Sequence, residues 1–144
     1  LGIDGADIHH KVYDTYSEGR LRLLGYCLSD RLKVMTDCGT AYMFLTKEDL
    51  LRFDYKTGDT EGVVNYALSI AGINFAALFT EREEKIRISF RSKGEFSVNE
   101  FSKKYYNGGG HKNAAGGDSF IAMKETIERF EAIVVENKSN IVTE

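Results

Sequence analysis

Ile73-Asn74-Phe75-Ala76-Ala77-Leu78-Phe79 is almost continuously apolar. A run this short and this uniform reads as a strand buried on both faces, which needs packed layers on either side of a sheet. The next regular segment behaves differently. Ile86, Ile88 and Phe90 alternate with Arg87, Ser89 and Arg91, the pattern of a strand with one face in the core and one face polar. The cluster Glu81–Glu84 turns the chain between them, so the two strands are expected to pair as a hairpin.

Helical periodicity frames this pair. Ile8, Val12 and Tyr16, then Leu21, Leu24, Leu28 and Leu32, give two helical pieces over residues 7–32, interrupted at Ser17-Glu18-Gly19. Strands are expected at Lys33–Asp37 and Thr40–Leu45, and Thr46 is placed to cap a helix over Lys47–Phe53. Val63, Tyr66, Ala67 and Ile70 predict a helix from Glu61 to Ala71, stopped by Gly72. Ser97 and Glu100 have capping-box spacing, with Phe96 and Phe101 as the hydrophobic staple around them. That helix should bury Val98, Phe101 and Tyr105 and end at Asn107. A helical turn over His111–Ala115, a short strand Ser119–Ile121, and an amphipathic helix on Met123, Ile127, Phe130 and Val134 complete the pattern. Fraying is expected after Lys138.

These elements predict an α/β fold: a mixed, mostly antiparallel sheet of about five strands flanked by helices, with the glycine segment at a sheet edge or end. The 144 residues suit one domain, and the 42% apolar and 28% charged shares exclude disorder and fibre. No apolar run is long enough to span a bilayer. Because the sequence begins at Leu1 rather than Met, a fragment is expected. A net charge of −3 argues against a whole-surface binder of duplex DNA and leaves room for a local basic pocket. Cys27 and Cys38 fit no zinc spacing; with no signal-peptide pattern, free cytosolic thiols are expected.

The segment Gly108-Gly109-Gly110-His111-Lys112-Asn113-Ala114-Ala115-Gly116-Gly117 is the chemically informative one. Successive glycines let backbone approach a ligand closely. A helical turn starting at His111 would present free N–H groups as an anion site, with His111 and Asn113 as side-chain donors. A flexible linker is the plainer alternative, but such linkers rarely continue into His-x-Asn-Ala-Ala-Gly. It is not a Walker loop, since Gly-Lys-Ser/Thr is absent. Arg91 lies at the strand end and could bracket the loop, binding phosphate bidentately. A solvated ion pair is an equal reading for Arg91 and the preferred one for Arg87, with Glu81, Glu83 or Glu84 as partners. Asp7, His10 and Asp14 resemble a metal box, but no further ligand is evident, and solvent-facing polar residues are the better reading. Tyr105 and Tyr106 could stack a base, although Tyr105 is expected in the core.

Three strings carry a family resemblance: Ser89-Phe90-Arg91-Ser92-Lys93-Gly94, Phe96-Ser97-Val98-Asn99, and Gly108-Gly109-Gly110-His111-Lys112-Asn113-Ala114-Ala115-Gly116. They resemble the DHH-associated domain, the C-terminal half of the DHH phosphoesterase superfamily. The bifunctional oligoribonuclease (nanoRNase) and pAp phosphatase branch is nearest, and Glu61–Asn65 followed by Ile73–Phe79 also resembles it. The resemblance implies inter-domain linker helices over residues 1–32, the substrate-binding domain over 33–138 and a tail over 139–144. It implies a catalytic DHH domain upstream, holding manganese, with no metal held by this chain. Asp7-Ile8-His9-His10 is not the Asp-His-His motif, because the isoleucine breaks the triplet.

By the same resemblance, Arg91, Gly108, Gly109, Gly110, His111 and Asn113 form the substrate-binding set, and His111 has the catalytic role. The implied activity is metal-assisted phosphoester hydrolysis of short oligoribonucleotides and 3′-phosphoadenosine 5′-phosphate, with this fragment inactive alone. Alternatives are a cyclic dinucleotide phosphodiesterase, a RecJ-type exonuclease, an exopolyphosphatase-like enzyme, a non-catalytic nucleic-acid binding module and a purely structural dimerisation domain. The partners expected are short RNA oligonucleotides or nucleotide bisphosphates and the N-terminal DHH domain. A homodimer is left open, no membrane partner is expected, and the expected location is cytoplasmic.

Overall fold

The computed structural model describes residues 16–142. The first of the expected helical pieces, apart from Tyr16, and Asp7-Ile8-His9-His10 lie outside that range. In chain order the elements are α1 (Glu18–Tyr26), a π-helical turn (Cys27–Arg31), β1 (Lys33–Met35), a 3-10 turn (Thr36–Cys38), β2 (Thr40–Leu45), α2 (Lys47–Arg52), α3 (Val63–Leu68), β3 (Phe75–Glu81), β4 (Ile86–Ser92), α4 (Val98–Tyr105), β5 (Gly109–His111), β6 (Ala114–Ser119), α5 (Met123–Glu136) and α6 (Lys138–Ile141).

The six strands run β1-β2-β3-β4-β6-β5. Only β2 and β3 are parallel; every other neighbouring pair is antiparallel. The expected hairpin is present, with Phe75 opposite Ser92 and Glu81 opposite Ile86. The expected mixed, mostly antiparallel sheet flanked by helices is therefore observed, with one strand more than counted from sequence.

β3 is buried on both faces, as its apolar run requires. Phe75, Ala77 and Phe79 enter one core with Tyr42, Ile88, Phe90, Phe101 and Phe130. Ala76 and Leu78 enter a second core with Leu23, Cys27, Met43, Val64 and Ala67. The first core is aromatic: Phe75 and Phe101 centroids lie 4.9 Å apart, and Phe79 and Phe130 centroids 5.0 Å. Both cysteines are free and buried. Among the described residues no helix is long and apolar enough to cross a membrane.

Local signals hold at α4. Ser97 Oγ accepts from the Glu100 amide at 3.2 Å, and the Phe96 and Phe101 rings pack 5.9 Å apart. A complete capping box forms at α2 instead, between Thr46 and Asp49. Asp49 also receives Arg31 Nη2 at 3.1 Å and the Tyr26 hydroxyl at 2.9 Å, joining the π-helical turn and α1 to α2. Burial pushes the Asp49 carboxyl up, but the hydrogen bonds from Arg31, Thr46 and Tyr26 outweigh it and hold the group below its ordinary value.

Four local expectations are corrected. α3 is shorter than predicted at both ends: Gly62 takes a left-handed conformation at its N-cap (φ 80°), and the helix stops at Leu68 with Ser69 as its C-cap. His111–Ala115 is not a helical turn; it spans the bend of the β5–β6 hairpin, whose backbone groups pair in the sheet. Tyr106, rather than Tyr105, enters the core; Tyr105 packs at its rim. The chain does not fray directly after Lys138: α6 buries Ile141, whose carbonyl accepts from Asn74 Nδ2 at 3.0 Å.

Two outcomes follow from the packing. Phe101→Ala should destabilise the protein by about 3–5 kcal/mol, as a large core truncation, read from the urea midpoint. Asp49→Asn should cost roughly 3 kcal/mol at neutral pH, because it leaves Arg31 without its buried partner. A carboxyl held below its ordinary value stabilises the fold above the unfolded value of about 4 and loses that contribution as pH falls toward the lowered native value. The gap in midpoint between wild type and Asp49→Asn should therefore close on acidification below about pH 4.

Candidate phosphate-binding face

The polar face of β4 leads to the site. Arg87, Ser89 and Arg91 point away from the aromatic core, and their partners across the ladder on β6 are Asp118, Gly116 and Ala114. Residues directly opposite in neighbouring strands share a face. β5 extends the last row, placing His111 opposite Ala114. Arg91, Ala114 and His111 thus form one row across three strands, and the end residues stand about 10 Å apart at two strand spacings. Between them Ala114 contributes only a methyl group. His111 is exposed and Arg91 half-buried.

Among the described residues Arg91 has no carboxylate within ion-pair distance. Its Nη1 donates to the Phe90 carbonyl at 2.9 Å, which lays the side chain along the sheet and leaves most of its donors free. Arg87 is ion-paired, as expected, but with Asp118 at 3.3 Å rather than with the turn glutamates.

The glycine segment is held against α4. Gly110 N–H donates to Asn99 Oδ1 at 2.9 Å, Val98 N–H to the Lys112 carbonyl at 2.8 Å, and the Ser102 hydroxyl to the Gly116 carbonyl at 2.6 Å. Asn113 Nδ2 donates to Ser92 Oγ at 2.9 Å and to the Gly94 carbonyl at 3.2 Å, tying the bend to the loop after β4. Gly108 is required by close packing, since a Cβ there would stand 1.9 Å from the Gly116 carbonyl oxygen.

The structure therefore brings Arg91 and His111 into one row, with Gly109 and Gly110 in the strand that carries His111. Gly108 packs beneath Ser102, and Asn113 braces the bend. The Gly110 amide, expected to face an anion, is engaged by Asn99. Sequence reading gave no role to Asn99, Ser92 or Ser102. Their only signal was their place beside the glycine-associated strings. Tyr106 is too buried to stack a base.

Comparison with known proteins agrees with this architecture. Residues 39–136 match the DHHA1 domain. The chain is 35% identical over 82 residues to the bifunctional oligoribonuclease and PAP phosphatase NrnA of Bacillus subtilis, an alignment spanning 57% of this chain and 26% of that protein. The crystal structure of an exopolyphosphatase-related protein from Bacteroides fragilis superposes with a TM-score of 0.90 at 46% identity, over 97% of this chain and 41% of that one. A pGpG-specific phosphodiesterase, PggH, from Vibrio cholerae shares the fold, with a TM-score of 0.60 at 18% identity over 90% of this chain and 42% of that one. The chain thus spans about a quarter of the curated relative's length and about two fifths of each solved one. The sheet that carries the Arg91–His111 row lies within the matched residues, apart from β1, and by that match the chain belongs to the DHHA1 domain family.

Proposed function

We propose that this chain is the substrate-binding half of a DHH-type phosphoesterase that hydrolyses short oligoribonucleotides and 3′-phosphoadenosine 5′-phosphate. The observation that carries the reading is the Arg91–Ala114–His111 row: a guanidinium with no carboxylate partner among the described residues and an exposed imidazole on one side-chain-poor face. A guanidinium grips two phosphate oxygens at once with fixed geometry. The imidazole, held at the end of a braced strand, donates to a phosphate oxygen and stabilises charge that builds there as the ester breaks. The relative whose name specifies oligoribonuclease and PAP phosphatase supports this substrate class.

Among the described residues no three His, Cys, Asp or Glu side chains gather as a metal-holding group. In this reading manganese belongs to a DHH domain outside the chain. This half binds and orients the substrate, and it is inactive alone.

The test uses the full-length protein with a diribonucleotide and with 3′-phosphoadenosine 5′-phosphate. Arg91→Ala and His111→Ala should each lower kcat/KM by about 10²-fold, the scale for losing one charge-stabilising donor. Thermal melts should stay near wild type, since both side chains lie outside the two cores. Wild-type turnover in either variant would remove that residue from the site.

A further inference from the structure

We propose that Arg87 is a specificity-determining residue that reads a second phosphate, one nucleotide along the chain from the phosphate held by Arg91 and His111. The inference rests on the phosphate-binding reading of that row and extends it down the same face.

The geometry supports this in two respects. Arg87 does not simply project into solvent. Its Nη2 stands 3.0 Å, and its Cζ 3.5 Å, from the place a Cβ on residue 116 would occupy. The guanidinium therefore lies across Gly116, on the floor that Arg91 and His111 border. Successive same-face rows of a strand are about 7 Å apart, so the Gly116 row is one step from the Ala114 row. That step is on the scale of neighbouring phosphates in a single nucleic-acid strand.

The charge arrangement also favours an anion. Arg87 Nη1 and Lys85 Nζ both lie 3.3 Å from the same Asp118 oxygen. Two cations share one carboxylate, so the cluster keeps a net positive charge. Asp118 fixes one edge of the guanidinium. Among the described residues the Nε and Nη2 hydrogens of Arg87 have no protein partner, and they remain available as a fork for phosphate. A methyl group on residue 116 would press on Arg87 Nη2 and make the guanidinium shift to keep contact with the floor.

The ligand class is a short oligonucleotide carrying a phosphate beyond the one at Arg91. The experiment uses the full-length protein with three substrates: the diribonucleotide ApA, and the same dinucleotide with an added 5′-phosphate (pApA) or 3′-phosphate (ApAp). Wild type should prefer at least one phosphorylated form over ApA in kcat/KM. Arg87→Ala should reduce that preference about tenfold, mainly through KM, and Gly116→Ala should reduce it in the same direction. Arg87→Lys should recover only part of it. Arg91→Ala should instead lower the phosphorylated and unphosphorylated substrates in parallel. An unchanged preference in Arg87→Ala, an equal loss on every substrate, or no preference in wild type would overturn the role of Arg87. A wild-type protein that hydrolyses none of the three would overturn the site reading beneath it.

Discussion

Water reaches neither face of strand β3. Phe75, Ala77 and Phe79 enter the aromatic core and Ala76 and Leu78 enter the aliphatic one. Its backbone is paired along both edges, to β2 and β4. A strand in that position demands helices on both sides of the sheet. α4 and α5 supply one cover, and α1 with α3 the other. The parallel pairing of β2 with β3 needs a long connection, and α2 and α3 occupy it. The outer strands β6 and β5 then carry the polar face of β4 outward. A site built there stands on a rigid sheet and stays open to a ligand.

That outer region would be the weakest part of the sheet if pairing alone held it. Gly109, Gly110, Gly116 and Gly117 offer few side chains to define register, and glycine-rich strands slip easily. α4 supplies the missing definition. Its first-turn amide, Asn99 and Ser102 bond the bend, the edge strand and β6 in turn. Asn113 adds the bond to Ser92. These contacts also engage the outward amide of Gly110, which removes a free donor from an edge that could recruit another strand. The position of His111 therefore depends on side chains that touch the hairpin backbone.

Where periodicity is local and strong, the sequence was sufficient. The contrast between the uniform run at Ile73–Phe79 and the alternation at Ile86–Phe90 foretold one two-faced and one half-buried strand. The Phe96–Phe101 staple foretold the start of α4. The shape of the glycine segment is not legible locally. Ala114-Ala115 suits a helix locally, and only ladder bonds to β4, more than twenty residues upstream, make it a strand. The same holds for Arg87, whose partner is Asp118 rather than a turn glutamate, and for Ile141, fixed by Asn74 from β3's approach. The common row of Arg91 and His111 follows from register, which no local window contains. Asn99 and Ser102 act through backbone partners, so their residue types announce nothing.

A net charge of −3 does not prevent one face of the chain from presenting local donors. A polyanion that ran over its surface would meet as much repulsion as attraction, since long-range affinity follows the summed field. A short anion samples only the local donors. On the polar face of β4, Arg91 has no carboxylate partner among the described residues and Arg87 shares Asp118 with Lys85. The shared carboxylate weakens the local field but fixes one guanidinium edge in place, and the unsubstituted Gly116 lets the other edge lie on the floor. Such a face offers a few oriented donors at short range rather than a long-range field.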